Sequence, residues 1–159
     1  MTIEQEIIHR LKSHNIEYEE YFHEGATTAL SASKMRGSVL REGAKSLFLK
    51  DKNDFRIFTM RADLEADNKK MRKVLKSSKL RFATQEELLE KCGVVKGALP
   101  PLVKEIYPYQ HYLDRSILDN EYIVFNAGVL SRSIRLELND FLKLVEPIIC
   151  DFTKETGKE

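Results

Sequence analysis

The chain has 159 residues, of which 42% are hydrophobic and 32% charged, a length that matches one domain and can bury a full core. Its 26 Lys and Arg oppose 25 Asp and Glu for a formal net charge of +1, which excludes a basic nucleic-acid coat and an acidic tail and confines any RNA contact to a local patch. Cys92 and Cys150 stand far apart with no CxxC and no Cys/His ligand spacing, which excludes a zinc site and a disulfide framework and makes the reducing cytoplasm the expected home.

The opening MTIEQEIIHRLKSHN mixes charges of both signs and has no apolar run long enough for a signal segment or a membrane span, so no membrane association is expected. Within it Ile3, Ile7, Ile8 and Leu11 recur at helical spacing, which predicts an amphipathic helix packed on a sheet. The stretch IEYEEYFH alternates as a strand does, and EGATTALSASKMRG has small residues, a Thr pair for an N-cap and Gly37 as a stop, which predicts a second helix. Next, AKSLFLKDKNDFRIFTMR holds two aromatic-rich apolar runs around Lys52, Asn53 and Asp54, the pattern of a hairpin with a polar turn.

Residues 64–76 place Leu64, Met71, Val74 and Leu75 near one helical face, with a basic, solvated remainder. In TQEELLEKCG, Thr84 precedes Glu87 by three residues, the spacing of a capping box, and Gly93 supplies the C-cap. YQHYLD, EYIVFNAG and SRSIRLEL read as short strands with turns at Asp119-Asn120 and Asn126-Ala127-Gly128. NDFLKLVEPII predicts a closing helix capped by Asn139 and limited by Pro147. The order is no strict βαβα alternation, so the expected fold is α/β of the α+β type: a mixed, largely antiparallel sheet surrounded by helices. Residues 1–152 are expected to form a single domain and 153–159 a frayed tail.

The four histidines show no HxxxH or HExxH pairing, and no GxSxG elbow or P-loop occurs, so neither a metal centre nor covalent catalysis is indicated. Lys45 opens the apolar run AKSLFLK. It can snorkel from a strand end, which the residues alone favour, or hold an anionic group. In VKGALPPLV, Gly97 permits close backbone approach and Pro101 fixes φ and removes a donor. A tight helix-to-strand connection explains the same pattern, and the residues alone favour it.

Taken in order, HEGATT with Thr28 after His23, GAKSL with Lys45, KLRFATQEELLEKCGVVKGALPP with Gly97 and Pro101, YLDRSI with Asp114 and FNAG with Gly128 resemble the YbaK family of aminoacyl-tRNA deacylases. That group includes free-standing relatives of the prolyl-tRNA synthetase editing domain. The resemblance runs from about His23 to the closing helix and implies a mixed sheet surrounded by helices.

It also implies a trans-editing, cofactor-independent hydrolase that cleaves the ester of a mischarged aminoacyl-tRNA, with a small amino acid on tRNA(Pro) or a related tRNA as the expected substrate. The implied partners are the aminoacyl-tRNA 3′ end and an aminoacyl-tRNA synthetase. By the same resemblance Lys45 holds the phosphate or ribose end, while Gly97 and Pro101 shape a loop whose amides face the aminoacyl carbonyl. Ser46, Ala98 and Leu99 beside them, with Thr28, Asp114 and Gly128, are the implied substrate-binding residues. No general base stands out, which fits attack by a water oriented by the substrate's hydroxyls. Asp114 is an alternative base, although an aspartate at a strand end is more often structural. Ala29-Leu30-Ser31, Cys92 and Pro100 depart from the family pattern and bear on amino-acid specificity. Loss of turnover through Leu30 and Pro100 would leave a non-catalytic module that binds tRNA 3′ ends or a synthetase.

Overall fold

The computed structural model describes residues 1–22 and 40–155. Helix α1 (Ile3–Ser13) begins with a capping box in which Thr2 accepts from the Gln5 amide and the Gln5 side chain returns to the Thr2 amide. Its apolar stripe follows the expected spacing: Ile7 and Leu11 are fully buried in one cluster with Ile123, Phe125, Ile134 and Leu136. Those partners lie on β6 (Tyr122–Asn126) and β7 (Arg132–Glu137), which pair antiparallel and, with β1 (Glu19–Phe22), form a three-stranded sheet of order β1-β7-β6. The helix covers a sheet, as its amphipathic pattern requires.

A second, five-stranded sheet has the order β4-β2-β3-β5-β8. The hairpin of β2 (Ala44–Asp51) and β3 (Phe55–Arg61) is antiparallel, and its turn is held by Asp51 Oδ1, which accepts from the Asn53 and Asp54 amides at 2.8 Å each. β4 (Leu80–Phe82) adds antiparallel to β2, whereas β5 (Gln110–Asp114) and β8 (Ile148–Cys150) add in parallel. Period-2 alternation along β2 and β3 divides the core. Phe48 and Ile57 pack with Cys92, Val94, Ala98, Leu99 and Val103 on one face, while Leu49, Phe58 and Met60 pack with Met71 and Phe152 on the other.

The architecture is mixed and largely antiparallel with helices around it, but its strands are divided between two sheets rather than joined in one. Among the described residues a parallel bridge, Gly43 to Val124, links them. The helix expected over 64–76 is shorter: α2 spans Asn68–Leu75, with Asp67 as N-cap accepting from the Lys69 and Lys70 amides at 2.9 and 3.3 Å. The backbone of 65–67 is committed elsewhere, since Ala66 bridges Thr153 and the Asp67 amide donates to Phe152 O at 2.7 Å.

Helix α3 (Gln85–Cys92) has the predicted capping box of Thr84 and Glu87 and the left-handed cap at Gly93. Helix α4 (Leu138–Val145) departs from expectation at both ends. Its cap is Glu137 without a side-chain bond, and Asn139 lies inside the first turn, because β7 runs straight into the helix and the Leu138 amide is met by Glu121 O at 2.9 Å. The helix ends before Pro147, as expected, and after left-handed Glu146 and Pro147 the chain turns into β8, a strand that the sequence does not predict. The tail expected to fray from 153 is anchored at its start: Thr153 is buried, and the Lys154 amide donates to Glu65 O at 2.8 Å. Among the described residues no helix is long and apolar enough to cross a membrane.

Candidate functional site

A cavity of about 340 Å³ opens where β2 meets the start of α3 and the loop that follows α3. Ser46 and Phe48 supply one wall, Thr84 and Leu88 a second, and Gly97 with Leu99 a third, while Phe82, more than half exposed, stands at the rim. The wall from α3 exists because the capping box fixes where that helix starts. Glu87 closes the box on the Thr84 amide at 2.8 Å and pairs with Arg81. Arg81's hydrogen bonds, then the Thr84 amide, hold the Glu87 carboxyl down to about 2, so this corner keeps its charge arrangement over the working pH range.

The loop after α3 is held at several points. Gly93 and Gly97 adopt φ of 73° and 90°, the left-handed region that glycine enters without a Cβ penalty. The Ala98 amide turns back to Val95 O at 3.0 Å, Asn126 Nδ2 donates to Gly97 O at 2.9 Å, and Tyr107 Oη donates to Cys92 O at 2.7 Å. Ala98, Leu99, Pro100 and Pro101 are all buried.

This geometry narrows the expected row of loop amides. Prolines 100 and 101 have no N–H, and that of Ala98 is committed to Val95, so from 97 to 101 the amides of Gly97 and Leu99 are those without a partner among the described residues. Two N–H groups on a rigid loop suit an oxygen that gains negative charge during acyl transfer.

Of the residues singled out in the sequence, Ser46, Gly97 and Leu99 line the cavity, with Ala98 and Pro101 buried in the loop that carries two of them. Gly128 follows Asn126, the residue that ties Gly97, in a φ of 82°, and Leu130 beyond it packs over Gly97. Strand alternation sends the Lys45 side chain to the face opposite Ser46 and Phe48, where it is exposed and its ammonium has no hydrogen bond or ion pair among the described residues. Thr28 lies outside the described residues, as does the helix predicted around it.

Asp114 is not brought to the cavity wall. It is 1% exposed, and its carboxylate accepts from the Phe152, Thr153 and Ser116 amides and from the Thr153 and Ser116 hydroxyls. It therefore has the structural role that is common for an aspartate at a strand end. Burial pushes the Cys92 thiol up to about 12 and the Cys150 thiol up to about 11, so neither supplies a thiolate nucleophile at neutral pH. Among the described residues no group of three or more His, Cys, Asp or Glu is placed to hold a metal ion.

Sequence reasoning missed the α3 wall and what stands behind Ser46. Thr84 was legible as a cap, which gave no reason to read it as a pocket residue. Behind Ser46, Oγ lies 2.8 Å from Thr59 Oγ1, which in turn lies 2.7 Å from Nε2 of buried His111.

The φ of Gly97 sets up a first prediction. Gly97→Ala forces a side chain into the left-handed region and brings its Cβ to 3.2 Å from Leu130 Cδ2, at a cost of about 1–2 kcal/mol. The variant should melt earlier in a thermal scan. Measured well below that melt it should also lose ester hydrolysis, and full activity there would remove Gly97 from the site.

A profile of the aminoacyl-tRNA editing domain family matches residues 23–144. The chain is 28% identical over 156 residues to the Multifunctional Ser/Thr-tRNA deacylase ProXp-y of Escherichia coli (strain K12), covering 94% of this chain and 92% of that protein. Among solved structures, one described as a "putative trans-editing enzyme for prolyl tRNA synthetase" superposes with a TM-score of 0.85 at 21% identity, covering 98% of this chain and 99% of that one. A scaffold from work on epitope backbone grafting gives a TM-score of 0.83 at 18% identity, over 98% of this chain and 99% of its own. At these identities the structural likenesses establish the fold.

Proposed function

Because the chain belongs to the aminoacyl-tRNA editing domain family, we propose that its hydrolysis of mischarged aminoacyl-tRNA removes a small amino acid in trans, from tRNA(Pro) or a related tRNA, in the cytoplasm and beside the synthetase that made the error. The observation that carries this reading is the cavity lined by Ser46 and by Gly97 and Leu99, whose amides have no partner among the described residues. At about 340 Å³ it is near the small end of ligand pockets and has room for an aminoacyl group. The relative named for seryl and threonyl substrates favours a small, hydroxylated side chain.

Such an enzyme answers a physical limit. A synthetase pocket separates amino acids that differ by one methylene by only about 1–3 kcal/mol, so a second hydrolytic site improves fidelity. In the proposed reaction water attacks the ester carbonyl, and the Gly97 and Leu99 amides hold the oxyanion as it forms. A donor in that position is worth about 2.7–4 kcal/mol. Lys45, exposed on the face of β2 opposite the cavity and without an ion pair among the described residues, attracts a phosphate of the tRNA end as a point charge outside the cavity. With Asp114 committed to the backbone and both thiols protonated, the residues contribute position and electrostatics, and the water is oriented by the substrate's own hydroxyl groups.

Single-turnover release from tRNAs acylated with serine, threonine, alanine and the cognate amino acid tests the reading. Serine or threonine should leave far faster than in buffer, and the rate should fall only shallowly with salt, by about 0.7 in log-log slope for each phosphate engaged. No release above buffer from any tRNA would count against hydrolysis, and tRNA binding without release would favour the non-catalytic module.

A further inference from the structure

Behind the Ser46 wall stands a histidine that the reaction above does not use. His111 on β5 is buried, its Nε2 is 2.7 Å from Thr59 Oγ1, and Thr59 Oγ1 is 2.8 Å from Ser46 Oγ at the cavity. The other ring nitrogen, Nδ1, is buried with no hydrogen-bond partner among the described residues. That orphan atom decides which way the chain of hydrogen bonds runs.

Burial holds the imidazole down to about 3, so at neutral pH the ring carries one proton. On Nδ1 that proton would leave a buried N–H with no acceptor, which is rarer and more costly than an unpaired lone pair. The proton therefore sits on Nε2 and is donated to Thr59 Oγ1. Thr59 is fully buried and its hydroxyl has no other acceptor among the described residues, so it donates to Ser46 Oγ, and the Ser46 O–H is left to face the cavity.

We infer that the His111–Thr59 pair fixes Ser46 as a hydrogen-bond donor toward the bound aminoacyl group, where it recognises the side-chain hydroxyl oxygen of a seryl or threonyl ester over the methyl of an alanyl ester. The inference rests on the deacylase reading above. The ester carbonyl has its donors on a different wall, at Gly97 and Leu99, which leaves Ser46 for the side chain. A methyl group at that place offers no acceptor, so the donor stays unpaired against apolar neighbours such as Phe48 and Leu88. Thr59 and His111 are positioning residues, since they reach substrate through Ser46.

The test compares kcat/KM on one tRNA acylated with serine or with alanine. The ratio of seryl to alanyl hydrolysis should fall about tenfold in Ser46→Ala and in Thr59→Val, and return in Thr59→Ser, which restores the hydroxyl. Thermal melts establish that each variant is folded at the assay temperature. The ¹⁵N spectrum of the unaltered protein should place the His111 proton on Nε2, a readout that depends on no variant. An unmoved ratio in Ser46→Ala, equal losses on both esters, or a proton on Nδ1 overturns the inference while hydrolysis itself stands. No hydrolysis of any ester by the unaltered chain overturns the deacylase reading, and this one with it.

Discussion

Lys45→Ala lowers kcat/KM for deacylation about 100-fold, the scale of a lost hydrogen bond to a charged group, and leaves the melt nearly unchanged. The two halves of this result have separate causes. The side chain is exposed at the start of β2 and its ammonium has no partner among the described residues, so its removal falls in the range of ordinary surface substitutions, within about 0.5 kcal/mol. On the face of β2 opposite the cavity, its charge is correspondingly available to a phosphate of the tRNA end that runs outside the cavity. Lys45→Arg keeps the charge and should recover part of the rate at saturating tRNA. The measurement is single-turnover hydrolysis beside a thermal scan, and an unchanged rate would remove Lys45 from the site whatever the melt shows.

Asp114→Ala has the opposite signature. Asp114 Oδ1 accepts from the Phe152 and Thr153 amides at 2.9 and 3.2 Å, and Oδ2 accepts from the Ser116 amide and Thr153 Oγ1 at 3.1 Å each and from the Ser116 hydroxyl. Truncation strands the buried Phe152 and Thr153 donors together with the half-buried ones of Ser116, and with each buried orphan worth about 1–3 kcal/mol we expect a loss of about 3–5 kcal/mol after partial rehydration. For a chain of this size that lowers Tm by about 10 °C. Asp114→Asn keeps the shape but turns an acceptor into a donor facing other donors, so it should recover little. Denaturant unfolding at fixed pH gives the number. A variant as stable as the parent yet inactive would instead make Asp114 part of the chemistry.

What could be read from the sequence was local. The β2–β3 hairpin was legible because Lys52, Asn53 and Asp54 interrupt two apolar runs, and the Asp51 carboxylate closes that turn as such a sequence invites. The Thr84–Glu87 box and the Gly93 cap were legible because capping is a matter of fixed spacing. Elements defined by partners distant in the chain were not. β8 is three residues long and exists because β5 offers it an edge; read alone, Ile148-Ile149 after Pro147 is too short an apolar run to announce a strand. Asn139 fits a capping preference, but Glu121 O already meets the first amide of that helix and moves its start back.

The candidate site divides along the same line. Gly97 was legible from glycine chemistry alone, and its φ of 90° explains why that residue type stands there. That the loop keeps two amides, Gly97 and Leu99, depended on a turn to Val95 that no motif announces. His111 carried no ligand spacing and no catalytic signature in the sequence. Its place behind Ser46 follows from β3 and β5 lying in parallel register, with Ile57 opposite His111 and Thr59 opposite Leu113.

The two outer strands of the five-stranded sheet, β4 and β8, have three residues each. A long, bare outer strand is a template on which a second chain can add its own backbone, the first step toward fibrous association. Here the longer strands β2, β3 and β5 lie inside, and what reaches solvent at either border is too brief to hold a guest, with Arg81 charged on one side and Pro147 unable to donate at the entry to the other. The sheet can thus stay open, without closing into a barrel, and still resist polymerising at the concentrations of a crowded cell.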